Sequence, residues 1–219
     1  MRLPPPSSSY TTFVRYGLYV VRRLRQRGLS DLAASVEREV LAARETGRAW
    51  EDADDAIQMA LADRDGADDD LDLTAQTLRN TLAGRGVGAD REAPYTQIFP
   101  QGVAWYLAAP LDENVRRYDE LRARVEAHLP ASDPARKLTI PALQKGVKDF
   151  AAAARALDTA NSADRLAATR ARSALRSLER QLERTYGALV AELGKAPAER
   201  FFPRVRAARK AEVAPPVGG

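Results

Sequence analysis

A chain of 219 residues, 45% hydrophobic and 29% charged, can form one large domain or two small ones with a core that needs no disulfide or metal. Zero cysteines exclude disulfide frameworks, thiolate zinc sites, iron–sulfur clusters and thiol nucleophiles together, and point to the reducing cytoplasm. The net charge of +4 conceals stripes: residues 1–50 carry nine basic and four acidic side chains, 51–72 carry one and ten, and 73–219 carry 24 and 16.

Of the 34 basic residues 29 are Arg and five are Lys, a bias that together with abundant Ala fits a high-GC bacterial genome. The opening Met-Arg-Leu-Pro-Pro-Pro-Ser-Ser-Ser lacks the apolar stretch of a secretory signal. The most apolar window, Phe13 to Leu24, is interrupted by Arg15, Arg22 and Arg23, so no membrane span is expected.

Residues 1–8 read as a disordered leader. From Ser9, Phe13, Val14, Leu18, Val21 and Leu24 recur at helical spacing, and Gly28 ends that helix. Ser30 caps a second helix carrying Leu32, Val36, Val40 and Leu41, which Thr46-Gly47 is expected to break. A third segment bears Trp50, Ile57 and Leu61 up to Gly66. Asp68, Asp69 and Asp70 then start a fourth, with Leu71, Ala75, Leu78 and Leu82, ending near Ala83.

The stretch 84–110 holds Gly84, Gly86, Gly88, Pro94, Pro100, Gly102 and Pro110, which no regular helix tolerates, but also Tyr95, Ile98, Phe99, Trp105 and Tyr106. It reads as an ordered connector. Beyond it a helix with Tyr118, Leu121 and Val125 stops at Pro130, another begins after Thr139 and breaks at Asn161-Ser162, and the longest runs from Ala163 to Leu193. A short helical piece at 198–202 and a frayed basic tail, 203–219, finish the chain. The expected fold is all-α, an antiparallel up-down bundle of about seven helices. Two helical halves, 9–83 and 111–202, are joined by the connector within one compact domain.

Few chemistries find their residues. The single histidine, His128, excludes a histidine-based triad and the paired Glu-x-x-His motifs of di-iron bundles, and its place at a helix end reads as an exposed imidazole. Gly84-Arg85-Gly86-Val87-Gly88 follows a helix and lacks phosphate-loop spacing, so it reads as a turn. Asp63, Asp65, Asp69 and Asp72 partly match a calcium loop with Gly66 in its sixth position. The first ligand would then be Leu61, so these four are weak metal candidates and no metal or cofactor is expected.

What remains is surface. Arg22, Arg23, Arg25 and Arg27 cluster at the end of the first helix, and Arg200, Arg204, Arg206, Arg209 and Lys210 crowd the C-terminus beside Phe201 and Phe202, read as an exposed docking pair. No nucleophile with a base, metal shell or phosphate loop is apparent, and no small-molecule substrate suggests itself. The sequence is therefore read as a non-catalytic interaction protein, an adaptor, scaffold or assembly subunit, meeting a protein partner or itself. Nucleic acid is the alternative partner, on the Arg-rich first helix and C-terminal region.

Overall fold

The computed structural model describes residues 1–5 and 8–203. Among them there is no strand, and the helices are α1 (Tyr10–Arg25), α2 (Ser30–Ala83), α3 (Tyr95–Ile98), α4 (Ala104–Leu107), α5 (Asn114–His128), α6 (Pro134–Leu193) and α7 (Lys195–Glu199). The all-α bundle is present. Its helices are divided otherwise than the punctuation of the sequence suggests, because α2 runs unbroken for 54 residues through Gly47 and Gly66, and α6 for 60 residues through Pro141, Asn161 and Ser162. A helical glycine costs only about 1 kcal/mol, which the apolar residues on either side offset by staying in their cores.

The chain forms two compact units, Met1–Asp52 with Arg165–Gly219, and Ala53–Asp164. Each draws on both the 9–83 and the 111–202 stretches.

In the first unit the hydroxyl of Ser9 accepts from the backbone N–H of Thr12 at 3.4 Å and caps α1, while Arg22, Arg23 and Arg25 sit in its last turn, where the helix dipole favours cations. Phe13, Val14, Val20, Val21 and Leu24 of α1 pack with Val36, Val40 and Ala43 of α2 and Leu178, Leu182 and Leu189 of α6. Gly28, at φ 75°, turns the chain so that α2 returns antiparallel to α1. The backbones come close at Gly17, where a Cβ would lie 2.4 Å from Cγ2 of Val40.

The expected leader is instead partly seated. Met1 and Leu3 pack on this core, Pro4 is buried, and Tyr16 donates its hydroxyl to the carbonyl of Arg2 at 3.0 Å. Burial pushes the Tyr16 phenol up to about 12, so it stays protonated as the donor throughout the neutral range.

The second unit is built on Leu71, Ala75, Leu78 and Leu82 of α2, Tyr118, Leu121 and Val125 of α5, and Leu143 and Phe150 of α6. The 84–110 connector is ordered: Ile98, Phe99 and Tyr106 are inside this core, with Phe99 and Tyr106 meeting edge to face at 5.8 Å. Asn114 donates to Asp68, and one turn later Tyr118 donates to Asp72. That constant offset shows α5 running parallel to α2. Parallel neighbours need a long return path, which the connector supplies. The strict up-down order expected from the sequence therefore does not hold here. Asp133 starts α6 as its cap, accepting from the N–H of Ala135 at 2.9 Å, with Pro134 in the first helical position, where its missing N–H costs nothing.

Two stability effects follow from these contacts. Gly17→Ala forces a Cβ against the fully buried, branched Val40; overpacking of this kind costs about 1–3 kcal/mol, against roughly 1 kcal/mol gained in helix propensity. Its urea midpoint should fall, and Val40→Ala added to it should cost less than it does alone. An unchanged or raised midpoint for Gly17→Ala would show that the two helices are not in contact there.

Asp133→Ala should cost about 1 kcal/mol as a lost cap, and more through the lost Arg85 ion pair at 2.7 Å. Burial pushes the Asp133 carboxyl up, but hydrogen bonds from Arg85 and the Ala135 N–H outweigh it and hold the group below the usual range. A depressed folded value means the stabilisation is present above the ordinary carboxylate range and is lost as pH falls through the lowered one. The difference between the wild type and Asp133→Ala should thus be full at pH 7 and shrink below about pH 4.

Candidate functional site

Three charged regions are built by these elements. The first is the end of α1. Arg25 pairs with Glu37, and Arg23 donates from Nε to the carbonyl of Arg200 at 3.4 Å and from Nη1 to Gln26 at 3.0 Å. Arg22 and Arg27 are exposed. The contact between Arg23 and Arg200 joins the two basic stretches of the sequence across 177 positions. Beside it lies a cleft of about 910 Å³ lined by Arg2, Tyr19, Arg23, Glu199 and Arg200 among others, in which Glu199 also takes an ion pair from the Met1 amine at 3.6 Å.

Phe201 and Phe202 are not the exposed docking pair that the sequence suggested. They are 7% and 4% exposed, because Gly194, at φ 83°, turns the chain after α6 and α7 lays the two rings onto the core of the first unit. Phe202 meets Tyr186 edge to face at 5.6 Å and Tyr16 at 6.4 Å. The apolar area of these rings outweighed the basic residues around them. Arg204, Arg206, Arg209 and Lys210 lie outside the described residues.

The second region is the solvent face of α6 in the first unit. Arg172, Arg176, Arg180 and Arg184 recur every four residues and are all exposed. At 100° per residue they project within about 120° of one another, centred opposite the buried Leu178. Among the described residues none of the four forms an ion pair; Arg180 reaches only the hydroxyl of Ser177, at 3.2 Å, although Glu183 shares their face. Like charges at this spacing disfavour a helix by a few tenths of a kcal/mol per pair. The sequence reading gave this helix only its bounds and missed the row, for which the four-residue period of the arginines was the available signal.

The third region is acidic and belongs to the second unit. Asp63, Asp65, Asp69 and Asp72 do not sit in a loop between helices, as a calcium site needs, but inside α2, where Asp63 projects about 180° from Asp72. Asp65 pairs with Arg64 and Asp72 accepts from Tyr118. Among the described residues no three His, Asp or Glu side chains converge as metal ligands. Asp63, Asp70 and Asp149 instead line a cleft of about 440 Å³ beside Gly66 and Gly146.

His128 is exposed in the last turn of α5, and Gly84 to Gly88 form a turn with Gly88 at φ 79°. The buried polar groups of this unit are spent on its architecture. The Arg117 guanidinium donates to Glu113 at 2.9 Å and to the Trp105 carbonyl at 2.5 Å, and stacks 3.7 Å above the Trp105 ring. Its partner Glu113 is held below the usual range, chiefly by that hydrogen bond.

A shallow groove of about 250 Å³ in the same unit is flanked by Leu73 and Leu138, 62% and 77% exposed. No helix among the described residues is long and apolar enough to cross a membrane. No protein-family model, curated protein or solved structure matches the chain.

The Tyr118–Asp72 pair gives a measurable sign. Burial raises the Asp72 carboxyl, the Tyr118 hydrogen bond lowers it, and Asp68 and Asp69 raise it again, leaving it above the ordinary range. A raised folded value means its contribution is full below the unfolded range and is lost as pH rises through the folded one. Asp72→Asn keeps an acceptor for Tyr118 and removes the charge. Relative to the wild type it should gain stability between pH 4 and pH 7, read as urea midpoints; parallel profiles for the two proteins would contradict this reading.

Proposed function

We propose that this chain works by contact and not by catalysis, as an adaptor, scaffold or assembly subunit that meets a protein partner or further copies of itself. One observation carries the reading. Among the described residues the first unit holds 17 basic and 10 acidic side chains, and the second holds 13 and 19. One chain therefore presents two compact surfaces of opposite sign, an arrangement that favours salt-sensitive association between copies, or with a partner of similar polarity. The exposed Leu73 and Leu138 supply apolar area of the kind that contacts between proteins cover.

Nucleic acid is the second reading, supported by the arginines of α1 and α6 in the first unit that no carboxylate neutralises. The reducing cytoplasm, read from the lack of cysteine, suits either partner.

Light scattering across a concentration series checks the leading reading. The mass should rise above 24.0 kDa with concentration at low salt and return toward it at high salt. A chain that holds the monomer mass under every condition, and retains no protein from an extract of its source cells, would end this proposal.

A further inference from the structure

The arginines of α5 and those on the solvent face of α6 are placed differently. In the second unit, the basic residues of α5, and Lys145 of α6, are matched with carboxylates three or four positions away: Arg116 and Arg117 with Glu113, Arg122 with Asp119 and Glu126, Arg124 with Glu120, and Lys145 with Asp149. In the first unit, Arg172, Arg176, Arg180 and Arg184 follow one another at four-residue steps, and none is paired among the described residues, although Glu179 and Glu183 stand three positions beyond Arg176 and Arg180. Such a row contributes nothing to the helix and works against it. No packing explains it either, since all four are exposed and the buried face of α6 is made by Ala171, Leu178, Leu182 and Leu189.

We infer that this row on α6 is a docking face for the phosphate backbone of double-stranded nucleic acid, bound without regard to base sequence. The inference rests on the second reading above and gives it a site. Charge complementarity selects the occupant. The twelve residue steps from Arg172 to Arg184 cover about 18 Å of helix, a length over which a duplex presents roughly ten phosphates at one per 1.7 Å.

Guanidinium groups suit phosphate because their planar donors can engage two oxygens at once. The face around them holds Ser173, Ser177, Glu179 and Glu183, and no Asn, Gln or aromatic side chain of the sort that reads base edges, so the contact is one of backbone and register only. A protein acidic patch would engage the same charges, but it would not supply the regular repeat that four equally spaced cations match.

The test uses the full chain and a mixed-sequence duplex of about 30 base pairs, titrated by fluorescence anisotropy over a series of salt concentrations. The variant carries Arg172→Gln, Arg176→Gln, Arg180→Gln and Arg184→Gln. A control of equal charge change carries Arg79→Gln, Arg91→Gln, Lys137→Gln and Lys148→Gln in the second unit.

The wild type should bind two duplexes of unrelated sequence alike, with an affinity that falls steeply as salt rises. The α6 variant should lose at least tenfold at low salt, and its salt slope should be shallower by about 3.6, at roughly 0.9 for each of the four phosphate contacts removed. The control should stay within about twofold of the wild type. A melting midpoint no lower than that of the wild type confirms that the variant is folded.

Binding by the α6 variant equal to the wild type overturns the site and leaves the nucleic-acid reading standing. Absence of wild-type binding at low salt overturns both. Wild-type binding to vesicles containing phosphatidylserine, with none to duplex, assigns the row to a membrane surface and also overturns the inference.

Discussion

The structure depends on each of two long helices being buried twice. On α2, Ala33, Val36, Val40 and Ala43 belong to the core of the first unit, and Leu71, Ala75, Leu78 and Leu82 to that of the second. On α6 the order is reversed, with Leu143 and Phe150 in the second unit and Leu178, Leu182 and Leu189 in the first. Helix formation is cooperative, so a segment anchored at both ends by buried leucines and valines propagates through a weak residue between them. Gly47 fits this view in a specific way: a Cβ there would lie 2.3 Å from the Tyr10 ring, whose hydroxyl reaches Glu51 at 2.6 Å. That glycine makes room for α1 and does not end a helix.

The same constraint explains what was legible in the sequence. Helix starts and ends that coincide with a change of chain direction could be read: Ser9 before α1, Gly28 after it, Ala83 and Gly84 at the end of α2, Pro130 after α5, Gly194 after α6. There, cap chemistry and the loss of apolar period agree. The breaks assigned at Gly47, Gly66 and Asn161-Ser162 rested on local preference alone, worth about 1 kcal/mol each, and tertiary burial overrode them. Asp68, Asp69 and Asp70 resembled a helix start because carboxylates favour that position, but they lie in mid-helix, where Asp68 is bonded to Asn114 of α5. That partner is 46 positions away, and no local pattern points to it.

For the charged surfaces, composition located the basic ends but not their arrangement. Arg23 and Arg200 could be seen as members of two clusters; their contact needed the fold. Phe201 and Phe202 were misjudged because basic neighbours suggest solvent, whereas two adjacent aromatic rings after a glycine turn have a core within reach. The arginine row of α6 was legible in principle, since its period lies wholly within one helix. A leucine stripe explains the buried face of that helix and leaves its solvent face unconstrained, so the residues chosen there report something other than folding.

That last point separates charge that is matched within its own helix from charge that is not. On α5, each arginine at 116, 122 and 124 has a carboxylate one helical turn away, which lowers the net field of the helix and adds a few tenths of a kcal/mol per pair. A solvated face selected only for solubility would look like that, because mixed signs keep a helix soluble without repulsion along it. On α6 the neighbours four positions apart are of like sign, no carboxylate pairs with them among the described residues, and their repulsion is screened by salt but never reversed by it. Neutralising such a row by an external polyanion releases the counterions held around the partner and removes the repulsion in the same step. For the face proposed on α6, the cost to the isolated helix would thus be small and the gain on contact large, an asymmetry that an ordinary polar face of mixed sign lacks.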